Sequence, residues 1–187
     1  MAGERELVEK AKKGDILAFE ELISAYEIKI FNYCYRMSGN KHDAEDLAQE
    51  IFIKVYKNLK TYKGDSSFST WLYRVAHNTC IDKYRSIKPN VSLTDALGTY
   101  EYAASKETQP DEQLLKKENK ELIQSCINSL KPEYRSVIIL RDIQNYTYQE
   151  IALMLDIPLG TVKSYISRGR QALRELIEVV HEGGHSG

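Results

Sequence analysis

Little in this chain belongs to a secreted, fibrous or membrane-embedded protein. Its 187 residues include three cysteines, Cys34, Cys80 and Cys126, an odd number, each set in an apolar helical pattern. That excludes a disulfide framework and leaves them as reduced, buried side chains. His77-x-x-Cys80 and His181-x-x-x-His185 are isolated pairs without the remaining ligands of a tetrahedral set, so no metal and no other cofactor is expected. With 4 prolines and 10 glycines the chain is too poor in both to be loop-rich or of low complexity. No apolar run approaches the roughly 20 residues of a membrane span. The opening MAGERELVEKAKKGD carries charge but no hydrophobic region of a signal peptide, so residence in the cytoplasm is expected. A Gly-rich phosphate loop and a nucleophile elbow are also missing. The acidic group Asp43, Glu45 and Asp46 falls at a predicted helix start, where carboxylates favour the helix dipole and need no catalytic explanation. No catalytic residue is assigned, and the chain is not expected to be an enzyme. A net charge of -1 excludes a generally basic nucleic-acid coat, so any nucleic-acid contact must be local.

Helical periodicity fills most of what remains, and it is most informative from Tyr146 to Leu176. Thr147 and Glu150 form the spacing of a capping box ahead of the apolar run Ile151, Ala152, Leu155. Asp156 to Gly160, with Pro158 and Gly160, then ends one helix and begins the next. At about 100° per residue the second helix puts Val162, Ile166, Gly169, Leu173, Leu176 and Ile177 on one face. Ser164, Ser167, Arg168 and Gln171 fall opposite, with Lys163, Arg170 and Arg174 at the margins. Four basic residues and no acid lie between Pro158 and Arg174, in an otherwise balanced chain. This is a helix-turn-helix pattern whose second helix carries charge suited to the major groove. A plain bundle helix with a polar face is the bland alternative.

Upstream, Leu7, Val8 and Ala11 define a first helix, and one long helix is predicted from about Ile16 to Met37, ended by Ser38-Gly39-Asn40. A third begins with Asp43 as its predicted cap and buries Ala44, Leu47, Ala48, Ile51, Phe52, Val55 and Leu59. Asp46, Gln49, Glu50 and Ile53 project together from its other face, and an isoleucine among polar groups suits helix-to-helix docking. The competing explanation is a single scattered exposed apolar residue. Gly64 to Ser67 reads as a turn, and Phe68 to Arg85 as a helix capped by Ser69 or Thr70. That helix mixes Trp71, Tyr73 and Tyr84 with Arg74, Asn78, Lys83 and Arg85, a composition suited to an unpaired base. Trp71, Leu72 and Val75 are read as core. The period fails from Ser86 to Asp111, which reads as a linker. It returns at Glu112 with Leu114, Leu115, Leu122, Ile123, Ile127 and Leu130, and Pro132 opens a further helix with Val137, Ile138 and Leu140. The Gly-rich tail from His181 is expected to be disordered.

The segments AKKGDILAFEEL, DAEDLAQEIFIKVYKNL, YKGDSSFSTWLYRVAHNTCIDKYR and LKPEYRSVIILRDIQNYTYQEIALMLDIPLGTVKSYISRGRQAL, in this order, resemble the extracytoplasmic-function (ECF) sigma factors of the bacterial sigma-70 family. The resemblance spans nearly the whole chain. It implies a promoter-specificity subunit that binds core RNA polymerase and directs initiation at minus-35/minus-10 promoters. Asp46, Gln49, Glu50 and Ile53 match the segment that docks on the clamp helices of the largest polymerase subunit. Asn58, Tyr62, Asp65, Ser66, Arg74 and Asn78 fall in the part that takes a base flipped from the minus-10 element. Lys163, Ser164, Ser167 and Arg168 match the reader of the minus-35 element, with Arg170 and Arg174 placed for phosphates. Tyr165 stands where the family often has a basic residue. An anti-sigma factor is an implied partner, and direct membrane insertion is not.

The expected architecture is all-α: two small helical domains, 1–87 and 112–187, joined by a flexible linker at 88–111, the second containing the helix-turn-helix. The rival function is a stand-alone helix-turn-helix regulator that binds an operator as a dimer. It would need a dimerisation seam, and no coiled-coil heptad is present.

Overall fold

A computed structural model of the chain describes residues 3–87 and 112–183. All regular structure among them is helical. The predicted linker at 88–111 and the end of the predicted tail lie outside the described residues. The first domain consists of α1 (Glu4–Lys12), α2 (Ile16–Ser24), α3 (Glu27–Ser38), α4 (Lys41–Asn58) and α5 (Phe68–Ile87), with a 3-10 turn at Leu59–Thr61. The second holds α6 (Glu112–Ser129), α7 (Pro132–Ile138), a π-helical turn at Ile139–Ile143, α8 (Tyr148–Leu155) and α9 (Leu159–Gly183).

The single helix expected from Ile16 to Met37 is two helices, α2 and α3, broken at Ala25 and Tyr26. No proline or glycine marks the break. Tyr26 leaves helical geometry with φ -115° and turns inward, its hydroxyl bonded to Glu4 and its ring edge-on to Phe68 at 5.6 Å. Tertiary packing overrides a continuous helical period here. Two predicted caps are displaced by one turn or less. Asn40, not Asp43, caps α4, accepting from the Asp43 amide at 2.8 Å, and the Ser67 hydroxyl, rather than Ser69 or Thr70, accepts from the Thr70 amide at 3.2 Å. Both are small polar side chains just ahead of a helix, as the orphan amides of a first turn require.

The predicted apolar stripe of α4 is buried at Ala44, Leu47, Ala48, Ile51, Val55 and Leu59, and packs with Leu22, Ile30, Tyr33, Phe68 and Leu72. In the second domain Ile127, Leu130, Val137, Ile138, Leu140, Ile151, Val162 and Ile166 are buried as expected. Ile123 is not: it stands 51% exposed while its neighbour Gln124 is buried. Ile177, expected on the packed face of α9, is likewise exposed.

The two domains pack on one another. Gln124 donates to the Arg36 carbonyl at 3.3 Å and accepts from the Arg36 guanidinium at 2.8 Å, which explains why a glutamine is buried. Arg135 donates to the Met37 carbonyl at 2.6 Å, so the last carbonyls of α3 are satisfied from the second domain. Gly39 ends α3 in the left-handed region at φ 87°, directly beneath the Asn128 side chain. Gly169 lets α9 approach α7 closely: a Cβ there would lie 2.8 Å from Ile138 Cγ1.

Candidate nucleic-acid and polymerase interfaces

The capping box predicted at the start of α8 is complete. The Glu150 amide donates to the Thr147 hydroxyl at 3.3 Å, and the Thr147 amide donates to the Glu150 carboxylate at 2.8 Å. The bond from the Thr147 amide, and after it one from the Thr147 hydroxyl at 2.7 Å, hold the Glu150 carboxyl below its ordinary range. The helix ends at Asp156, itself left-handed at φ 56°, and the Ile157 amide donates to the Ala152 carbonyl at 3.1 Å. Pro158 then leads into α9, whose Val162, Ile166 and Gly169 are buried. The opposite face is open, with Lys163, Ser167, Arg168 and Arg174 all exposed.

Three members of the predicted minus-35 set behave differently from one another. Arg168 makes no hydrogen bond or ion pair among the described residues. Ser164 is half-buried and donates to the Thr161 carbonyl at 2.9 Å, so its hydroxyl is engaged within α9. Arg170 is clamped by Asp142 of the π-helical turn, with Nε 3.1 Å and Nη2 2.5 Å from the two carboxylate oxygens. This bond is the main reason its guanidinium is held even above its usual range. Tyr165 packs its ring against Tyr134 at 5.4 Å rather than facing outward with the basic residues.

In the first domain Tyr62 is fixed by a 2.6 Å bond from its hydroxyl to the Ser66 carbonyl, with Trp71 5.4 Å and Phe68 5.9 Å from its ring. Burial, then the Glu4 carboxylate, raises its hydroxyl above the ordinary phenol value, so it stays a neutral donor. Tyr62, Asp65 and Ser66 line one cavity of about 730 Å³, whose other wall is α1. The remaining predicted minus-10 residues lie outside this lining. Asn58 is exposed at the end of α4, where it donates to the Lys54 carbonyl at 2.8 Å, and Asn78 is exposed on α5. Arg74 points towards the other domain, donating to the Leu153 carbonyl at 2.8 Å and lying 3.5 Å from Asp156. Nothing in the sequence pattern marks α1 as the opposite wall of this cavity. Its signal was available only as Arg5 and Lys12 on a short helix with no obvious target.

The four α4 residues expected on one outward face are all exposed. Asp46, Gln49 and Glu50 are exposed, and Ile53 among them is 54% exposed. Tyr56, one turn further on, extends this apolar element and touches the Phe19 ring at 4.9 Å. Glu50 pairs with Lys54 at 2.7 Å, while Asp46 sits 3.8 Å from the His42 ring.

Residues 22–89 match the family model for sigma-70 region 2, and residues 120–173 match that for sigma-70 region 4. The chain is also 41% identical over 174 residues to the ECF RNA polymerase sigma factor SigW of Bacillus subtilis, covering 90% of this chain and 93% of that protein. It belongs to the ECF sigma factors. The ECF RNA polymerase sigma-E factor of Escherichia coli K12 is 36% identical over 178 residues, covering 92% of this chain and 93% of its own. The fold resembles that of CnrH in complex with the cytosolic domain of CnrY, with TM-score 0.70, 22% identity, and 94% and 97% of the two chains covered. It also resembles the sigma factor RpoE of Bartonella quintana in complex with the anti-sigma factor NepR, with TM-score 0.65, 22% identity, and 86% and 97% covered. Membership sets aside the stand-alone regulator, because a dimeric operator binder has no need of a region 2. Among the described residues no helix is long and apolar enough to cross a membrane, and no group of side chains could hold a metal.

Proposed function

We propose that this ECF sigma factor divides its work between two surfaces, acting in the cytoplasm as a specificity subunit with no catalysis of its own. Domain two reads duplex minus-35 DNA through the exposed face of α9. Arg168 takes a base edge together with Lys163, and Ser167 and Arg174 lie alongside. Domain one docks on core RNA polymerase through Asp46, Gln49, Glu50 and Ile53, and it holds a base of the melted minus-10 strand beside Tyr62. The observation that carries this reading is the two-sidedness of α9: Val162, Ile166 and Gly169 are sealed into the domain, while Lys163 and Arg168 stand free on the opposite side. The sigma factor RpoE of the same fold occurs in complex with the anti-sigma factor NepR, and an inhibitor of that kind is inferred for this chain also.

Transcription from a promoter library by core polymerase and the purified chain tests the whole. Promoter-specific initiation that depends on both added components is expected. Duplex binding without initiation would return the chain to an ordinary DNA-binding regulator.

A further inference from the structure

Domain one holds a cavity of about 730 Å³ between α1 and the 62–68 segment, within the roughly 300–1,000 Å³ that small-ligand pockets occupy. Its aromatic surface is the ring of Tyr62, fixed through Ser66 and backed by Phe68 and Trp71. Its far wall is α1, anchored to the domain by the buried Leu7, Val8 and Ala11. Lys12 of that wall lies with Nζ 5.4 Å from the centre of the Tyr62 ring and is steered there by Glu9 at 3.1 Å. Arg5 also lines the cavity, and it has no hydrogen bond or ion pair among the described residues. Glu4, by contrast, is already taken by the Tyr26 hydroxyl.

An ammonium over a fixed aromatic ring and a guanidinium lining the same cavity suit one class of ligand: an unpaired nucleobase with its phosphate. We propose that α1 is a specificity-determining wall of the base-capture pocket, with Arg5 reading the edge of an extruded base and Lys12 holding that nucleotide's phosphate. The proposal rests on Tyr62 being where the melted strand is held. A base stacking on Tyr62 takes the ring face that Lys12 covers in the empty pocket. Lys12 then exchanges a cation–π contact for a charge-assisted bond to the adjoining phosphate. Arg5 presents two parallel N–H donors, which match the O6 and N7 acceptors of guanine. The pocket is thus predicted to prefer guanine at one position of the non-template strand.

The test uses holoenzyme assembled from core polymerase and the full chain, binding single-stranded non-template oligonucleotides in which each position is varied in turn. Arg5→Ala should lower affinity about tenfold or more for the preferred base at one position, and leave the other bases there unchanged. Lys12→Ala should weaken all oligonucleotides alike and reduce the salt dependence by about one unit of slope, with Lys12→Arg restoring both. Tyr62→Ala is measured in parallel. If Tyr62→Ala weakens binding and neither α1 variant does, the proposal for α1 fails while the pocket stands. If Tyr62→Ala has no effect, the pocket reading itself fails. Uniform loss over all bases in Arg5→Ala overturns the base-edge role.

Discussion

The guanidinium of Arg74 donates a 2.8 Å hydrogen bond to the carbonyl of Leu153, tying the α5 helix of the first domain to the first helix of the helix-turn-helix. The same seam contains Gln144, which accepts from the Tyr73 hydroxyl at 2.5 Å and donates to the Lys29 carbonyl at 3.0 Å. A compact body built of the described residues alone is about 40 Å across, since its radius of gyration scales as a small power of residue number. Minus-35 and minus-10 elements lie about 25 base pairs apart, roughly 85 Å at 3.4 Å per pair. The packed arrangement therefore cannot occupy both elements at once, and the domains must separate in the initiation complex. Gln144→Leu removes the bond from the Tyr73 hydroxyl and the bond to the Lys29 carbonyl, and should loosen the packed form by about 1 to 3 kcal/mol. Energy transfer between dyes on the two domains reports this as a lower closed fraction in the free protein, with no change in the polymerase-bound one. An unchanged closed fraction would mean that Gln144 contributes nothing to the seam.

Ile53 tests the docking face. Because it is already 54% exposed, Ile53→Asp should leave the thermal midpoint nearly unchanged. A carboxylate forced into a desolvated interface should nevertheless weaken core polymerase binding by at least about tenfold, the scale of a buried unpaired charge. Tight binding by a folded variant would assign docking to another surface.

Arg168 and Arg170 are two residues apart and should separate cleanly. Arg168→Ala should cost about 1 to 3 kcal/mol of minus-35 binding and relax preference at one base pair, with stability unaltered. Arg170→Ala breaks the Asp142 clamp and should lower folding stability by about 0.5 to 1 kcal/mol, as exposed pairs of good geometry do. Asp142→Ala should match that loss. Comparison of binding across single-base promoter variants, alongside thermal melts of the three proteins, decides between the roles. Full stability in Arg170→Ala would free that residue for the phosphate contact expected from sequence.

The periodic apolar residues carried most of this fold openly. Ala44, Leu47, Ala48, Ile51, Val55 and Leu59, with Val162, Ile166 and Gly169, are buried as their spacing requires, Phe52 of the same stripe only in part, and Thr147 with Glu150 announces its helix correctly. What stayed hidden depends on partners distant in the chain. Tyr26 breaks a helix because Glu4 and Phe68 hold it, and Gln124 is buried because the Arg36 backbone needs a donor. Arg170 looks like its neighbour Arg168 until the π-helical turn brings Asp142 beneath it. The aromatic and turn residues that line the cavity beside Tyr62 stood out in the sequence, whereas α1 as its opposite wall did not. No local pattern states which loop a short amphipathic helix will face.

His77 gives the domain a pH signature. Burial first, and then the nearby Arg85, depress its pKa from the ordinary 6.5 to about 4, so the folded protein keeps it neutral. Between those values the unfolded chain binds a proton that the folded one refuses. Stability from this residue is therefore complete above about pH 6.5 and declines as pH falls, levelling off below about pH 4. His77→Gln should flatten the denaturation midpoint across that window. An equally steep decline in the variant would locate the titration elsewhere.

Gly39 has a consequence that reaches beyond the end of one helix. A methyl group on its Cα would fall 2.1 Å from Asn128 Nδ2, so a side chain at residue 39 requires the Asn128 amide, which accepts from Gln124 at 2.9 Å, to move aside while the domains are together. Once they part, that obstruction is gone, and only the left-handed backbone at φ 87° still favours glycine. Gly39→Ala would act as a wedge: part of its effect is common to both states, and the rest falls on the packed state alone. Such a chain, followed by the same dye pair, should open more readily than one carrying Gly64→Ala. Gly64 shares a positive φ of 84° but has nothing within 4 Å of its missing Cβ. The absence of one methyl at position 39 thus makes the end of α3 a hinge-side clearance, through which a backbone requirement inside domain one sets how closely domain two can sit.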